Sequence, residues 1–144
     1  MIMSLVIPGA YAQEKGSTDD LSALGIDTSH GVDVGDIVIR DPFVLVSGGI
    51  YYMYGTGAST VAGYGCYVSL DLETWYGPVN VFEAKEGFDG VNCFWAPECH
   101  YYNGKYYLLA SYGSASTGHR GTSVLRSSSP LGPFEEISDG HITP

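Results

Sequence analysis

The sequence predicts an all-β chain made of two copies of a four-stranded antiparallel unit, the blade of a β-propeller. Three observations carry that prediction. A hairpin motif recurs at a fixed offset: Pro97 lies 55 positions after Pro42, Gly104 lies 55 after Gly49, and Tyr106-Tyr107 lies 55 after Tyr51-Tyr52. Turn residues separate short apolar runs, with 20 glycines among 144 residues. Twelve tyrosines against 6 Lys plus Arg suit pleated, half-buried strands better than long surface helices. Four strands per unit, repeated at roughly 40 to 60 residues, is the pattern of propeller blades, whose innermost strands line a central channel.

In chain order, residues 1–35 read as an N-terminal arm. The stretch 2–7 is mostly apolar, and Ala10-Tyr11-Ala12 fits a small-x-small cleavage site ahead of Gln13-Glu14-Lys15. A positively charged leader is absent, so residues 1–12 read as a signal-peptide remnant or as vector sequence. Residues 13–35 are polar and turn-rich, an extended arm with at most one short helical turn near 21–24. His30 reads as a solvated loop residue.

Residues 36–144 then read as a partial propeller, blade one at about 36–85 and blade two at about 90–140. Ile37-Val38-Ile39 is β-branched and strand-like. Asp41-Pro42 opens the first clear strand, because proline biases the residue before it toward extended backbone. Ser47-Gly48-Gly49 turns the chain, and further strands are expected at 50–54, 64–70 and 75–82. The second copy predicts strands at 95–102, 105–111, 122–127 and 134–137. Asn103-Gly104 joins the first two of these, and Asn-Gly between apolar runs is a strong hairpin signal because both central residues need positive φ.

Bulk properties narrow the partners. A net charge of −10 argues against a nucleic-acid backbone or an anionic membrane. No apolar run approaches the roughly 20 residues of a membrane span. Cys66, Cys93 and Cys99 are odd in number and lack CxxC spacing, so they read as buried reduced thiols with no metal site.

The same offset of 55 points to a site. It places Ala96 where Asp41 stands, Trp95 at Arg40 and Glu98 at Phe43. Innermost strands would aim Asp41 and Ala96 into one channel, and residues two apart share a strand face, so Phe43 and Glu98 should follow them. A carboxylate in one copy against a methyl group in the next is an asymmetry that a structural repeat does not need. The alternative is that Asp41 caps its own turn or pairs with Arg40.

Ile39-Arg40-Asp41-Pro42-Phe43, the run Tyr51-Tyr52-Met53-Tyr54-Gly55-Thr56, and Phe94-Trp95-Ala96-Pro97-Glu98 with Tyr106-Tyr107-Leu108 resemble the first two blades of glycoside hydrolase family 43. The resemblance implies a five-bladed propeller of which this chain supplies about two blades. It implies an inverting hydrolase of arabinose- or xylose-containing plant polysaccharides, with Asp41 as general base. Trp95, Ala96, Arg40 and Glu98 become substrate-side candidates, Glu98 more as a brace of the strand ends through hydrogen bonds. His100 is assigned to packing between blades or to the surface. By the same resemblance, the general acid and the carboxylate that tunes it lie on later blades. Losing the acid costs roughly 10²–10⁴ in rate, so the chain alone is expected to be a poor hydrolase.

No cofactor is implied; an axial structural cation occurs in the family, but no ligand cluster for it is visible. The expected partners are a pentose-containing oligosaccharide or polysaccharide, and either the remaining blades or further copies of the chain. Exposed strand edges and apolar faces drive such association. The substrate class and the cleavage-like site point to a secreted or periplasmic protein, with the cytoplasm as the alternative. The competing functional reading is a non-catalytic carbohydrate-binding or assembly module on the same fold.

Overall fold

Both hairpins of the repeat close as their turn residues require. In the computed structural model, which describes residues 15–143, Gly48 and Gly49 sit at φ 59° and 75°, and Asn103 and Gly104 at 46° and 76°. Positive φ at both central positions matches the twist of the flanking strands. Ser47 therefore pairs with Ile50, and Tyr102 with Lys105, across two-residue turns. The cleavage-like stretch at 1–12 lies outside the described residues.

Two antiparallel sheets result. The strands are β1 (Val32–Asp33), β2 (Arg40–Ser47), β3 (Ile50–Thr56), β4 (Gly63–Ser69), β5 (Thr74–Glu83), β6 (Gly90–Tyr102), β7 (Lys105–Ser114), β8 (Arg120–Ser127) and β9 (Glu135–Glu136). The first sheet is ordered β1-β5-β4-β3-β2 and the second β6-β7-β8-β9. The chain thus holds two stacked blades whose first strands, β2 and β6, adjoin.

One apolar cluster binds the blades together, drawing Tyr52, Tyr54, Cys66 and Val68 from the first and Cys99, Leu108, Ala110 and Leu125 from the second. Tyrosine suits this interface, because its ring fills the core while its hydroxyl satisfies a polar group. The Tyr54 hydroxyl donates to the Pro130 carbonyl at 2.6 Å, and that of Tyr64 to the Ser111 carbonyl at 2.8 Å. Ser47 Oγ and the Tyr106 hydroxyl share a third bond of 2.9 Å, and the Phe134 amide donates to the Val81 carbonyl at 2.9 Å. Burial pushes the Tyr52 hydroxyl up to about 12 and those of Tyr54 and Tyr64 higher still, so all remain protonated donors. The three cysteines are free, with Cys66 and Cys99 buried and Cys93 half-buried. Burial raises both buried thiols, that of Cys99 to about 11.

The structure departs from the sequence reading in several places. The segment expected to be an arm carries a helix, α1 (Thr18–Ala23), begun by a capping box in which Ser17 and Asp20 bond each other's backbone amides. It buries Leu21 completely. Nearby, Val32 and Asp33 pair with Trp75 and Thr74, so the first sheet has five strands, not four. Ile37-Val38-Ile39 is not a strand; a 3₁₀ turn at Val34–Asp36 precedes it and Val38 is 91% exposed. Finally, β6 starts at Gly90, earlier than expected, and β9 is only two residues long.

Two close approaches generate tests. A Cβ on Gly65 would run into the Ala58 carbonyl, which is backbone and has nowhere to go. Gly65→Ala is expected to cost about 1–3 kcal/mol through overpacking, read as a lower urea midpoint; an unchanged midpoint contradicts this. Asp89 accepts from Ser114 Oγ and from the Ser116 amide and hydroxyl, tying down the loop between β7 and β8. Those bonds, Ser114 first, hold its carboxyl below the usual range. A lowered folded value means the stabilisation is present above the unfolded value of about 3.9 and fades as pH falls through the folded one. The Ser116 amide should therefore keep its exchange protection, corrected for intrinsic rate, down to about pH 4 and lose it below. Asp89→Asn should remove that pH dependence.

Candidate functional site: a carboxylate on a repeated bulge

The 55-residue offset has a structural meaning at Asp41 and Ala96. Neither takes the extended backbone expected before a proline: both non-glycine residues are left-handed, φ 51° at Asp41 and 45° at Ala96. Strand register shifts between Arg40 and Phe43 in blade one and between Trp95 and Glu98 in blade two. The same bulge thus interrupts the innermost strand of each blade, at the start of β2 and midway along β6. Bulges re-aim side chains, and a left-handed non-glycine residue costs on the order of 1–3 kcal/mol, so it persists only where neighbours enforce it.

Thr56 is that neighbour. It closes β3 opposite Arg40 and is 7% exposed. Its Oγ1 donates to Asp41 Oδ2 at 3.1 Å and accepts the Ala96 N–H at 2.8 Å. One buried hydroxyl therefore joins the two bulges across the blade interface. Asp41 itself is exposed, and among the described residues its Oδ1 has no donor, leaving that oxygen to solvent.

Thr56 was not singled out from the sequence, although a signal existed. Fifty-five residues on stands Ser111, another hydroxyl, whose Oγ donates to the Trp95 carbonyl at 3.1 Å. Each blade thus pins its bulge with a hydroxyl from its second strand.

The bulge also corrects the two-residue alternation expected from the sequence. Phe43 does not follow Asp41 along an open channel. It is half-buried against the core, and its ring lies 5.1 Å from that of His100 in the next blade. Among the described residues the polar partner of Glu98 is His100. Its carboxylate faces His100 at 3.5 Å, with the two side chains 58% and 51% exposed, a pair worth little in stability. His100 lies between the blades at the surface. Asp41 does not pair with Arg40, which is exposed.

Trp95 is 37% exposed beside Ala96. The Arg120 guanidinium, from the start of β8, lies 4.8 Å from the centre of its ring. Arg120 is a second residue the sequence reading missed, because it is brought to Trp95 only by the pairing of β6, β7 and β8. A cavity of about 670 Å³ opens elsewhere among Phe88, Asp89, Tyr112, His119 and His141, away from Asp41. Among the described residues no group of three or more His, Cys, Asp or Glu could hold a metal ion. No helix of the described residues is long and apolar enough to cross a membrane.

Fold and site together define a β-propeller with an exposed carboxylate at the mouth of one innermost strand. The model of glycosyl hydrolases family 43 matches residues 34–142, and the chain belongs to that family. It is 38% identical to an endo-arabinase from Bacteroides thetaiotaomicron, with a TM-score of 0.70 over 81% of this chain and 40% of that one. A thermostable family-43 glycoside hydrolase is 32% identical, with a TM-score of 0.61 over 72% of this chain and 35% of that one. The extracellular endo-α-(1→5)-L-arabinanase 1 of Bacillus subtilis is 31% identical over 87 residues, 54% of this chain and 27% of that protein. The chain thus spans less than half the length of these relatives, whose five-bladed propeller it matches over two blades.

The stacking of Arg120 on Trp95 is open to a spectroscopic test. Trp75 is 2% exposed, so only Trp95 should respond to a collisional quencher. Arg120→Ala uncovers the indole and is expected to raise acrylamide quenching of the accessible component without shifting the buried one. Equal quenching in both proteins would remove Arg120 from the platform.

Proposed function

We propose that this chain carries the general base and part of the sugar-binding surface of an inverting glycosidase acting on arabinose-containing polysaccharide, with Asp41 as the base. The observation that carries the reading is the state of the Asp41 carboxylate: one oxygen is held by Thr56 on a side chain that is otherwise exposed. A base in this position takes a proton from water as that water attacks the anomeric carbon. In an inverting enzyme the base stands about 6.5–9.5 Å from the acid, leaving room for the water between them.

Trp95 suits the apolar face of a sugar ring, Ala96 leaves space beside it, and Arg120 keeps the indole in place. The arabinosyl substrate rests on the relatives named arabinases; xylosyl substrates have less support. Secretion is supported by the extracellular Bacillus subtilis relative.

The general acid, by the family resemblance, belongs to further blades. Hydrolysis of an unactivated glycoside therefore requires this chain to be joined by them, from the same or another polypeptide. Val44 and Val46 on β2 are exposed apolar residues that such a neighbour would cover. The second reading, a carbohydrate-binding or assembly module, is favoured by the Trp95–Arg120 platform, which needs no acid to bind sugar.

Asp41→Asn separates the two. In the assembled propeller it should lower arabino-oligosaccharide hydrolysis by about 10²-fold or more, while calorimetric binding of the same sugar persists. Undiminished hydrolysis would remove Asp41 from the base role. On gel filtration the isolated chain should elute as an associated species; a compact monomer at 15.4 kDa contradicts the proposed need for neighbours.

A further inference from the structure

We propose that Thr56 is a positioning residue for Asp41, and that its hydroxyl transmits the docking of blade two to that carboxylate. The positioning role deepens the assignment of Asp41 as base and rests on it; the hydrogen-bonded relay itself does not.

A threonine hydroxyl has one proton and two lone pairs. Here the Ala96 N–H, 2.8 Å away, takes a lone pair, and the proton is directed to Asp41 Oδ2 at 3.1 Å. The rotor is therefore set by a group from the other blade. A β-branched side chain is stiff about χ1, and at 7% exposure water competes poorly for the same positions. A bond to a carboxylate is stronger than one between neutral groups, and consecutive hydrogen bonds polarise one another. Charge on Asp41 should consequently be felt at the Ala96 amide.

The repeat supplies the comparison. Ser111, at the equivalent place in blade two, donates to the Trp95 carbonyl within its own blade and serves no carboxylate. Thr56 also explains why Ala96 shares the left-handed backbone of Asp41: φ 45° presents its N–H to the hydroxyl.

The test is an amide NMR titration of the chain across about pH 3 to 5, the ordinary carboxylate range, following the Ala96 cross-peak. Other charged groups near this part of β6 are Glu98, His100, Arg40 and Arg120, so the variants are what isolate Asp41. In the unmodified chain the Ala96 amide should shift in a carboxylate titration. Asp41→Asn and Thr56→Val should each abolish that shift, and Thr56→Ser, which keeps the hydroxyl, should restore it. Persistence of the shift in Thr56→Val, or its absence in the unmodified chain, overturns the relay. Should Thr56→Val fail to fold, persistence in Asp41→Asn overturns it equally. The titration needs no substrate, so failure of the base assignment appears separately, as hydrolysis that survives Asp41→Asn.

Discussion

The geometry of the candidate site depends on one hydroxyl placed between two bulges. Each bulge puts a non-glycine residue into left-handed backbone, at a cost on the order of 1–3 kcal/mol. Neither would hold without a partner for the groups it re-aims. Thr56 supplies that partner to both at once, accepting from Ala96 and donating to Asp41. It can do so because the tyrosine hydroxyls of β3 and β4 lock the two sheets at a fixed separation. The site is thus a property of the docked pair of blades and not of either sheet alone.

The repeated frame makes the functional asymmetry clear. Two blades share the same turn, the same bulge and a hydroxyl in the same place. They differ in what the bulge presents, a carboxylate at Asp41 and a methyl group at Ala96. A scaffold that copies its backbone while varying one side chain is the arrangement in which chemistry is grafted onto a fold. The neighbouring Trp95, backed by Arg120, gives the methyl side an aromatic wall. A charged group on one side and a flat apolar surface on the other suit a sugar and an attacking water.

Much of this was legible in the sequence, for physical reasons. Turn chemistry is local, so Gly48-Gly49 and Asn103-Gly104 announced both hairpins, and the offset between them announced the repeat. Cys66 and Cys99 are buried free thiols as expected, whereas Cys93 is only half-buried. What failed was the assumption of strict alternation. A bulge adds one residue to a strand and moves every later side chain to the other face. Asp41 carries no glycine to mark it, so Phe43 was expected to follow it into the open and instead packs against the core. The helix at Thr18–Ala23 was underestimated because six residues give little periodicity, although Ser17 and Asp20 had the spacing of a capping box. Arg120 was invisible because strand pairing, not sequence proximity, brings it to Trp95.

The most direct test of the account replaces the proposed base and supplies a substitute. An arabino-oligosaccharide carrying a dinitrophenyl leaving group needs no general acid, so its cleavage reports the base side of the reaction alone. With Asp41→Ala in the assembled propeller, cleavage should fall by about 10²-fold or more and recover when azide is added. The product should be a glycosyl azide of inverted anomeric configuration. Cleavage by Asp41→Ala at the unmodified rate, with azide making no difference, would contradict the account.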